Sequence, residues 1–269
     1  MRTISQVRQL VTKAIYPLSV WLGTVALLAA PPITRHRRRI ISGAFSSVRR
    51  KLPVISIDEI VGSVPDSEEI RLAVLETRPH NMSLFEVFCL AAITRKLDPS
   101  IVLEIGTYDG RSAMAIARNM TGTIYTVNLG PDYIDLHPNQ AYRVDIQLSR
   151  KVPSGGRMLA PETERIVQLY SDSTKLEFSR FGLVDLVVID GGHDYDVVKS
   201  DTENALRVIN RQRGAIIWHD AVDYGVGRLL PTLGLPLSII DGTVLAILVF
   251  DNGRPIDLAH EHIGGRMRR

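Results

Sequence analysis

Cysteine is nearly missing from this sequence. Cys89 is the only one in 269 residues, which excludes an internal disulfide framework and a multi-cysteine zinc site. It falls in the apolar run Leu84–Ile93 and reads as an inert core thiol suited to a reducing compartment. Aromatics are also sparse, at 6%. They do not interleave with the basic clusters as a stacking surface for nucleic acid would require, so no nucleic-acid partner is expected. Internal repeats are lacking. Excess charge of one sign is small overall, at +3, but it is concentrated: Arg35, Arg37, Arg38, Arg39, Arg49, Arg50 and Lys51 crowd one stretch, and Arg266, Arg268 and Arg269 close the chain. Such clusters can meet phosphate groups. The C-terminal arginines read as a solvated tail.

Long hydrophobic runs are missing with one exception, Ile15–Ala30, which is apolar apart from Ser19 and Thr24 and follows Arg2, Arg8 and Lys13. Its length is near the lower limit for a helix crossing a bilayer. A signal peptide fits the basic start and Ala29-Ala30, but Pro31-Pro32 is a poor cleavage context. A buried helix fits the apolarity but not the basic run that follows. A membrane anchor, spanning or interfacial, accounts for both. If it spans, the heavier positive flank on its C-terminal side places the main domain in the cytoplasm.

What remains has ordinary globular composition, 45% apolar and 23% charged. The expected organisation is a hydrophobic N-terminal segment (1–34), a basic, proline-containing linker (35–65) and one domain (66–269). Helical patterning starts near Asp66. Ser83 can cap a helix running to Leu97, with Glu86 at the capping-box position, and Pro99 ends it. Apolar runs of strand length follow at Ile101–Ile105, Thr123–Leu129, Arg165–Tyr170, Asp185–Ile189 and Ala215–Trp218. Helical stretches at Ser112–Met120 and Val197–Ile209 intervene. Leu237–Ile240 and Val244–Phe250 form a closing pair around the turn Asp241-Gly242-Thr243. Alternation of this kind predicts an α/β domain: a mostly parallel sheet with helices on both faces and an antiparallel closing pair. The stretch between Gly130 and Glu164 has the length of a functional or mobile loop.

The segment Val102-Leu-Glu104-Ile-Gly106-Thr107-Tyr108-Asp109-Gly110-Arg111-Ser112 is a buried strand, a tight turn and a helix start. Gly106 and Gly110 allow a ligand to approach the backbone closely. In open α/β sheets that ligand lies at the carboxyl end of the strand. The dinucleotide fingerprint Gly-x-Gly-x-x-Gly is not matched, which disfavours a nicotinamide-dependent oxidoreductase. Asp109 and Arg111 read as solvent-facing. Asp190, His193, His219 and Asp220 follow two adjacent strands and supply carboxylates and imidazoles for proton transfer or cation binding.

This ordered set resembles the class I S-adenosylmethionine-dependent methyltransferases over about residues 80–250. The turn at Gly106 is similar to their motif I. Ser171-Asp172-Ser173-Thr174 looks like the acidic segment that approaches the adenine. Asp190-Gly-Gly-His193-Asp-Tyr195 and Trp218-His219-Asp220 resemble the methyltransferase family 24 subgroup, near the cephalosporin-hydroxylase and catechol O-methyltransferase groups. The resemblance implies a Rossmann-like, seven-stranded domain preceded by the N-terminal hydrophobic helix. It implies S-adenosylmethionine held by Glu104, Gly106, Thr107, Gly110, Asn128, Asp172, Ser173 and Asp190. His193 is the first candidate for general base and His219 the second. Asp190, His219 and Asp220 fall where a divalent cation such as magnesium would be bound, although magnesium prefers oxygen ligands. Tyr195 reads as a packing residue. Asn128 departs from the pattern, because an acidic residue commonly holds the ribose hydroxyls at that place. The expected acceptor is a hydroxyl on a sugar or other small metabolite. A non-catalytic, membrane-associated scaffold that keeps the fold is the alternative.

Overall fold

A computed structural model describes residues 52–62, 69–72, 80–130, 132–133, 164–222 and 224–261. The hydrophobic segment, the basic clusters and most of the long loop after Gly130 lie outside them, as does the helical pattern expected from Asp66. Among the described residues no helix is long and apolar enough to cross a membrane.

Among the described residues the sheet has nine strands: β1 (Val54–Ile55), β2 (Ile101–Ile105), β3 (Thr123–Asn128), β4 (Ile166–Tyr170), β5 (Leu186–Ile189), β6 (Ala215–Trp218), β7 (Ser238–Ile240), β8 (Ala246–Asp251) and β9 (Arg254–Ile256). The helices are α1 (Ile57–Val61), α2 (Leu84–Leu97), α3 (Arg111–Ala117), α4 (Tyr195–Val208) and α5 (Tyr224–Leu229). Strand order across the sheet is β4-β3-β2-β5-β6-β8-β7-β1, with β9 along β8. Only β8 runs against its neighbours, pairing antiparallel with β6, β7 and β9. The seven expected strands are all present, in a Rossmann-like α/β sheet. Order reverses between β2 and β5, so a crevice opens at their carboxyl ends.

Strand alternation divides the core between the two faces. Val102, Leu186, Val188 and Ile217 pack with Val87 and Leu90 of α2 and Ile116 of α3. Leu103, Ile105, Val187 and Trp218 pack with Val198 and Ala205 of α4 and Val226 of α5. Cys89 is fully buried, and burial pushes its thiol up to about 12, as expected of an inert core residue. Ser83 caps α2 in a full capping box with Glu86, and Asp98 ends the helix in a left-handed conformation just before Pro99.

Three features depart from the sequence reading. The sheet reaches into the stretch 35–65 read as a linker: β1 pairs in parallel with β7, and α1 buries Ile60 and Val61. A two-residue strand shows no alternation, so nothing in its sequence marks it. α5 carries Gly225 and Gly227, poor helix formers that hid it. Asp109 and Arg111 are buried, not solvent-facing. The segment 80–82 accounts for this. Asn81 Nδ2 donates to Asp109 Oδ1 (3.1 Å), and Arg111 Nη1 donates to the Met82 carbonyl (2.6 Å).

Candidate active site

The site is built where three parallel strands end together. Ile105, Ile189 and Trp218 are register partners across β2, β5 and β6. Backbone pairing continues one step further, with Asp190 N donating to Ile105 O (2.8 Å) and His219 N to Ile189 O (3.0 Å). The next residues on each strand therefore emerge side by side. Gly106 is required there: a Cβ would stand 2.1 Å from the Asp190 carbonyl oxygen, and its φ of +99° lies in the left-handed region. Gly110, at φ +84°, caps α3.

Carboxylates and imidazoles converge beside this crossing. His193 Nε2 lies 2.9 Å from Asp220 Oδ2. His219 Nδ1 lies 2.9 Å from Asp190 Oδ1 and 3.6 Å from Asp220 Oδ2, and its Nε2 is 3.7 Å from Glu86 Oε2. Burial disfavours a charged His219, but the charges of Asp190 and Asp220 override it and raise its pKa well above the ordinary value. Burial likewise opposes ionisation of Glu86. The His219 contact and the backbone N–H groups of Val244 and Ser83 nevertheless hold its carboxyl down at about 2. His193 is raised too, mainly by Asp220 acting against burial.

The two histidines differ in access. The His219 side chain is 3% exposed and enclosed by carboxylates, whereas that of His193 is 33% exposed. Among the described residues Asp190, His193 and Asp220 offer ligand atoms within 4.8 Å of one another. That set holds His193 in the place where the motif comparison put His219. The His219 ring lies instead between Glu86 and Asp190. Asp220 takes φ +52°, a conformation uncommon for a residue with a side chain, and this turns its carboxylate between the two imidazoles.

Around the turn after β2 a cleft is lined by Met82, Gly106, Thr107, Asp109, Ser112 and Asp190. Glu104, at the end of β2, is fully buried. Burial raises its carboxyl to about 7, although hydrogen bonds from Ser112 and Thr126 oppose this. Its Oε1 makes no hydrogen bond. Asp172 follows β4 and caps the short 3-10 turn Ser173–Lys175, accepting from Thr174 N (3.1 Å), Thr174 Oγ1 (2.7 Å) and Tyr133 Oη (3.2 Å). Asn128 ends β3 half-buried and opposite Tyr170 of β4, with its amide giving only a long 3.5 Å contact to the Leu129 carbonyl. Tyr195 is a packing residue, with the Arg228 guanidinium 5.5 Å from its ring centre.

Residues 103–221 match the model of a methyltransferase domain family. Over that segment the chain is similar to methyltransferase domains. Solved structures similar to this chain include cofactor-bound Rv0187 from MTB, at 19% identity over 66% of this chain and 85% of that one, with a TM-score of 0.44. Another is an O-methyltransferase from Bacillus cereus in complex with SAH, at 16% identity over 65% and 84%, TM-score 0.42. A third is TomG from Streptomyces achromogenes in complex with SAM, at 15% identity over 63% and 82%, TM-score 0.43. No curated protein matches the sequence.

Sequence reasoning saw Glu86 only as a capping residue, yet in the folded domain it also anchors His219. The segment 80–82, which covers the buried pair Asp109 and Arg111, carried no signal in the sequence, and Gln168 on β4 was not singled out. Polar residues at inward-facing strand positions were the available signal for Gln168.

Proposed function

We propose that the domain transfers a methyl group to a hydroxyl oxygen of a small acceptor, a sugar or other small metabolite, at the cluster Asp190–His193–Asp220. The observation that carries this reading is His193, open to the site and held 2.9 Å from Asp220 beside the crossing of β2 and β5. S-adenosylmethionine supplies, when bound, an electrophilic methyl on a sulfonium. The residues present fit it. Glu104 Oε1 is a buried acceptor without a donor, and Gly106 leaves a bare backbone where any side chain would collide. Glu104 and Asp190 would take the cationic amino-acid end, Gly106, Thr107 and Gly110 the backbone cradle, Asn128 the ribose, and Asp172 with Ser173 the adenine side. Asn128 offers the ribose hydroxyls neutral rather than charge-assisted hydrogen bonds.

At the acceptor side His193 takes the hydroxyl proton and Asp220 stabilises the imidazolium that results. Asp190, His193 and Asp220 also fit a divalent cation, which would lower the acceptor's pKa. A nitrogen ligand suits manganese or another transition metal better than magnesium. The two roles of His193 exclude each other, and EDTA separates them. His219, enclosed by Glu86, Asp190 and Asp220, is the second candidate for the base and would hold the two aspartates in place.

Transfer of labelled methyl from S-adenosylmethionine to sugar, phenolic and lipid hydroxyls, with and without EDTA, tests the reading. His193→Ala should lower turnover about 100-fold or more, while binding of S-adenosylhomocysteine changes little. Failure of the folded protein to bind that product would favour the scaffold. The apolar run 15–30 with its basic flank supports a membrane anchor as well. The full chain should then sediment with vesicles containing anionic lipid, and a chain beginning at Leu52 should not. Equal behaviour of the two would refute the anchor.

A further inference from the structure

Glu104, Thr126 and Gln168 stand in one row across β2, β3 and β4: Glu104 is the register partner of Thr126, and Thr126 that of Gln168. All three therefore project on the same face of the sheet. Below them in the same direction the row Val102, Ile124 and Ile166 is apolar. The polar row sits one pleat from the carboxyl edge. Thr107, from the cofactor turn, reaches back over it and completes a chain of hydrogen bonds.

The direction of that chain is fixed by its two ends. Gln168 Nε2 lies 3.1 Å from Thr107 Oγ1 and 3.2 Å from the Thr126 carbonyl oxygen, with the Leu169 carbonyl oxygen at 3.1 Å. Carbonyl oxygens only accept, so the amide nitrogen is the atom that faces them and Thr107 must accept from it. The Thr107 hydroxyl then turns its proton to Thr126 Oγ1, 2.7 Å away. Thr126 in turn donates to Glu104 Oε2 at 2.5 Å. The hydroxyl protons of Thr107 and Thr126 both point toward the carboxylate. A carboxylate accepting such bonds is favoured in its charged form, which opposes the burial that raises it.

We propose that Gln168 is a positioning residue for the cofactor site: through Thr107 and Thr126 it orders a one-way hydroxyl chain that holds Glu104 by Oε2 as an acceptor and leaves Oε1 for the ammonium end of S-adenosylmethionine. This rests on the reading of Glu104 as the group that receives that ammonium. Gln168 touches no reacting atom. Its effect is expected at one end of the cofactor: Asn128, Asp172 and Ser173, which would hold the adenosine half, lie further along β3 and beyond β4 and are not members of this hydrogen-bonded row. Gln168→Glu is the sharpest variant. A carboxylate at 168 accepts instead of donating, so Thr107 gives its proton outward, Thr126 donates to Thr107, and Glu104 loses the Thr126 hydrogen bond while keeping that of Ser112.

Calorimetry on the full chain tests this with two probes. S-adenosylhomocysteine carries the amino-acid end, and 5′-methylthioadenosine lacks it. Gln168→Glu should weaken S-adenosylhomocysteine about tenfold or more, Gln168→Leu should weaken it less, and 5′-methylthioadenosine should bind all forms within about twofold. Retained binding of 5′-methylthioadenosine also reports that the variants fold. Equal loss for both probes would assign Gln168 a merely structural role and overturn the proposal. Glu104→Gln separates the two levels of inference. If it weakens S-adenosylhomocysteine while Gln168→Glu does not, the chain fails and the cofactor reading stands. If Glu104→Gln leaves S-adenosylhomocysteine unaffected, the reading of Glu104 fails and the proposal falls with it.

Discussion

Asp201 is an unusual residue for the inward stripe of α4. It is fully buried, and beyond the Ser173 hydroxyl its carboxylate finds no hydrogen-bond donor. Burial pushes its carboxyl up to about 7 from 3.8; the Ser173 hydroxyl tempers the rise and the charge of Asp172 adds to it. The folded state thus holds a proton that the unfolded chain has released, and stability falls as pH rises through the window from about 3.8 to 7. At about 1.4 kcal/mol per pKa unit the penalty above pH 7 has an upper bound of roughly 4 kcal/mol. Asp201→Asn removes the charge at constant shape. We expect urea unfolding to find it about 2–4 kcal/mol more stable than the native chain at pH 8, and little different at pH 4. A variant no more stable at pH 8 would refute this. Its neighbour Thr202 shows what the position ordinarily requires, since Thr202 Oγ1 accepts from the Trp218 indole at 2.9 Å. Sequence periodicity placed both in a buried helix but could not separate the satisfied residue from the strained one. That difference depends on which strand side chain lies opposite.

At the scale of elements, motif-bearing strand ends were legible and the pieces that clamp them were not. β2, β5 and β6 read as apolar runs ending in Gly106, Asp190 and His219, and pairing of these strands brings those residues together. His193 could be read from the sequence as a candidate base, but not where it stands. Its placement depends on α5, a short, glycine-containing helix without the periodicity that marks longer ones. Gly225 N donates to the His193 carbonyl at 2.9 Å, and a Cβ at 225 would meet Tyr195 N at 2.4 Å and His193 O at 2.5 Å. Gly225→Ala must therefore push α5 off the loop or the loop off Asp220. We expect it to cost about 1–3 kcal/mol in stability and to lower methyl transfer far more than Gly227→Ala, whose nearest clash is with the Val222 backbone at 2.8 Å. S-adenosylhomocysteine binding should survive both changes. Equal turnover of the two variants would show that the clamp on His193 is irrelevant.

The whole domain begins earlier than its sequence pattern suggests. The compact unit of the described residues starts at Leu52. β1 extends the sheet beyond β7, where Ile239 N donates to Pro53 O (2.7 Å) and Asp241 N to Ile55 O (2.8 Å). Proline-bounded and two residues long, β1 is invisible to any test of alternation. The seven expected strands, β2 to β8, announce themselves as apolar runs, and β2, β5, β6 and β8 are almost wholly buried. The difference matters to where the chain can be cut. Starting at Asp66 would remove Ile55, Ile60 and Val61, all buried in the core. Each contributes about 1.5–3 kcal/mol when fully buried, partly offset by the ordering entropy of the freed segment. A net loss of a few kcal/mol corresponds to a Tm lower by about 10 °C for a domain of this size. A chain beginning at Leu52 should instead keep the melting temperature and the S-adenosylhomocysteine affinity of the full chain. Calorimetric melting of the three lengths checks this. Coincident melting of the 66–269 and 52–269 chains would show that β1 and α1 contribute nothing to the fold that carries the site.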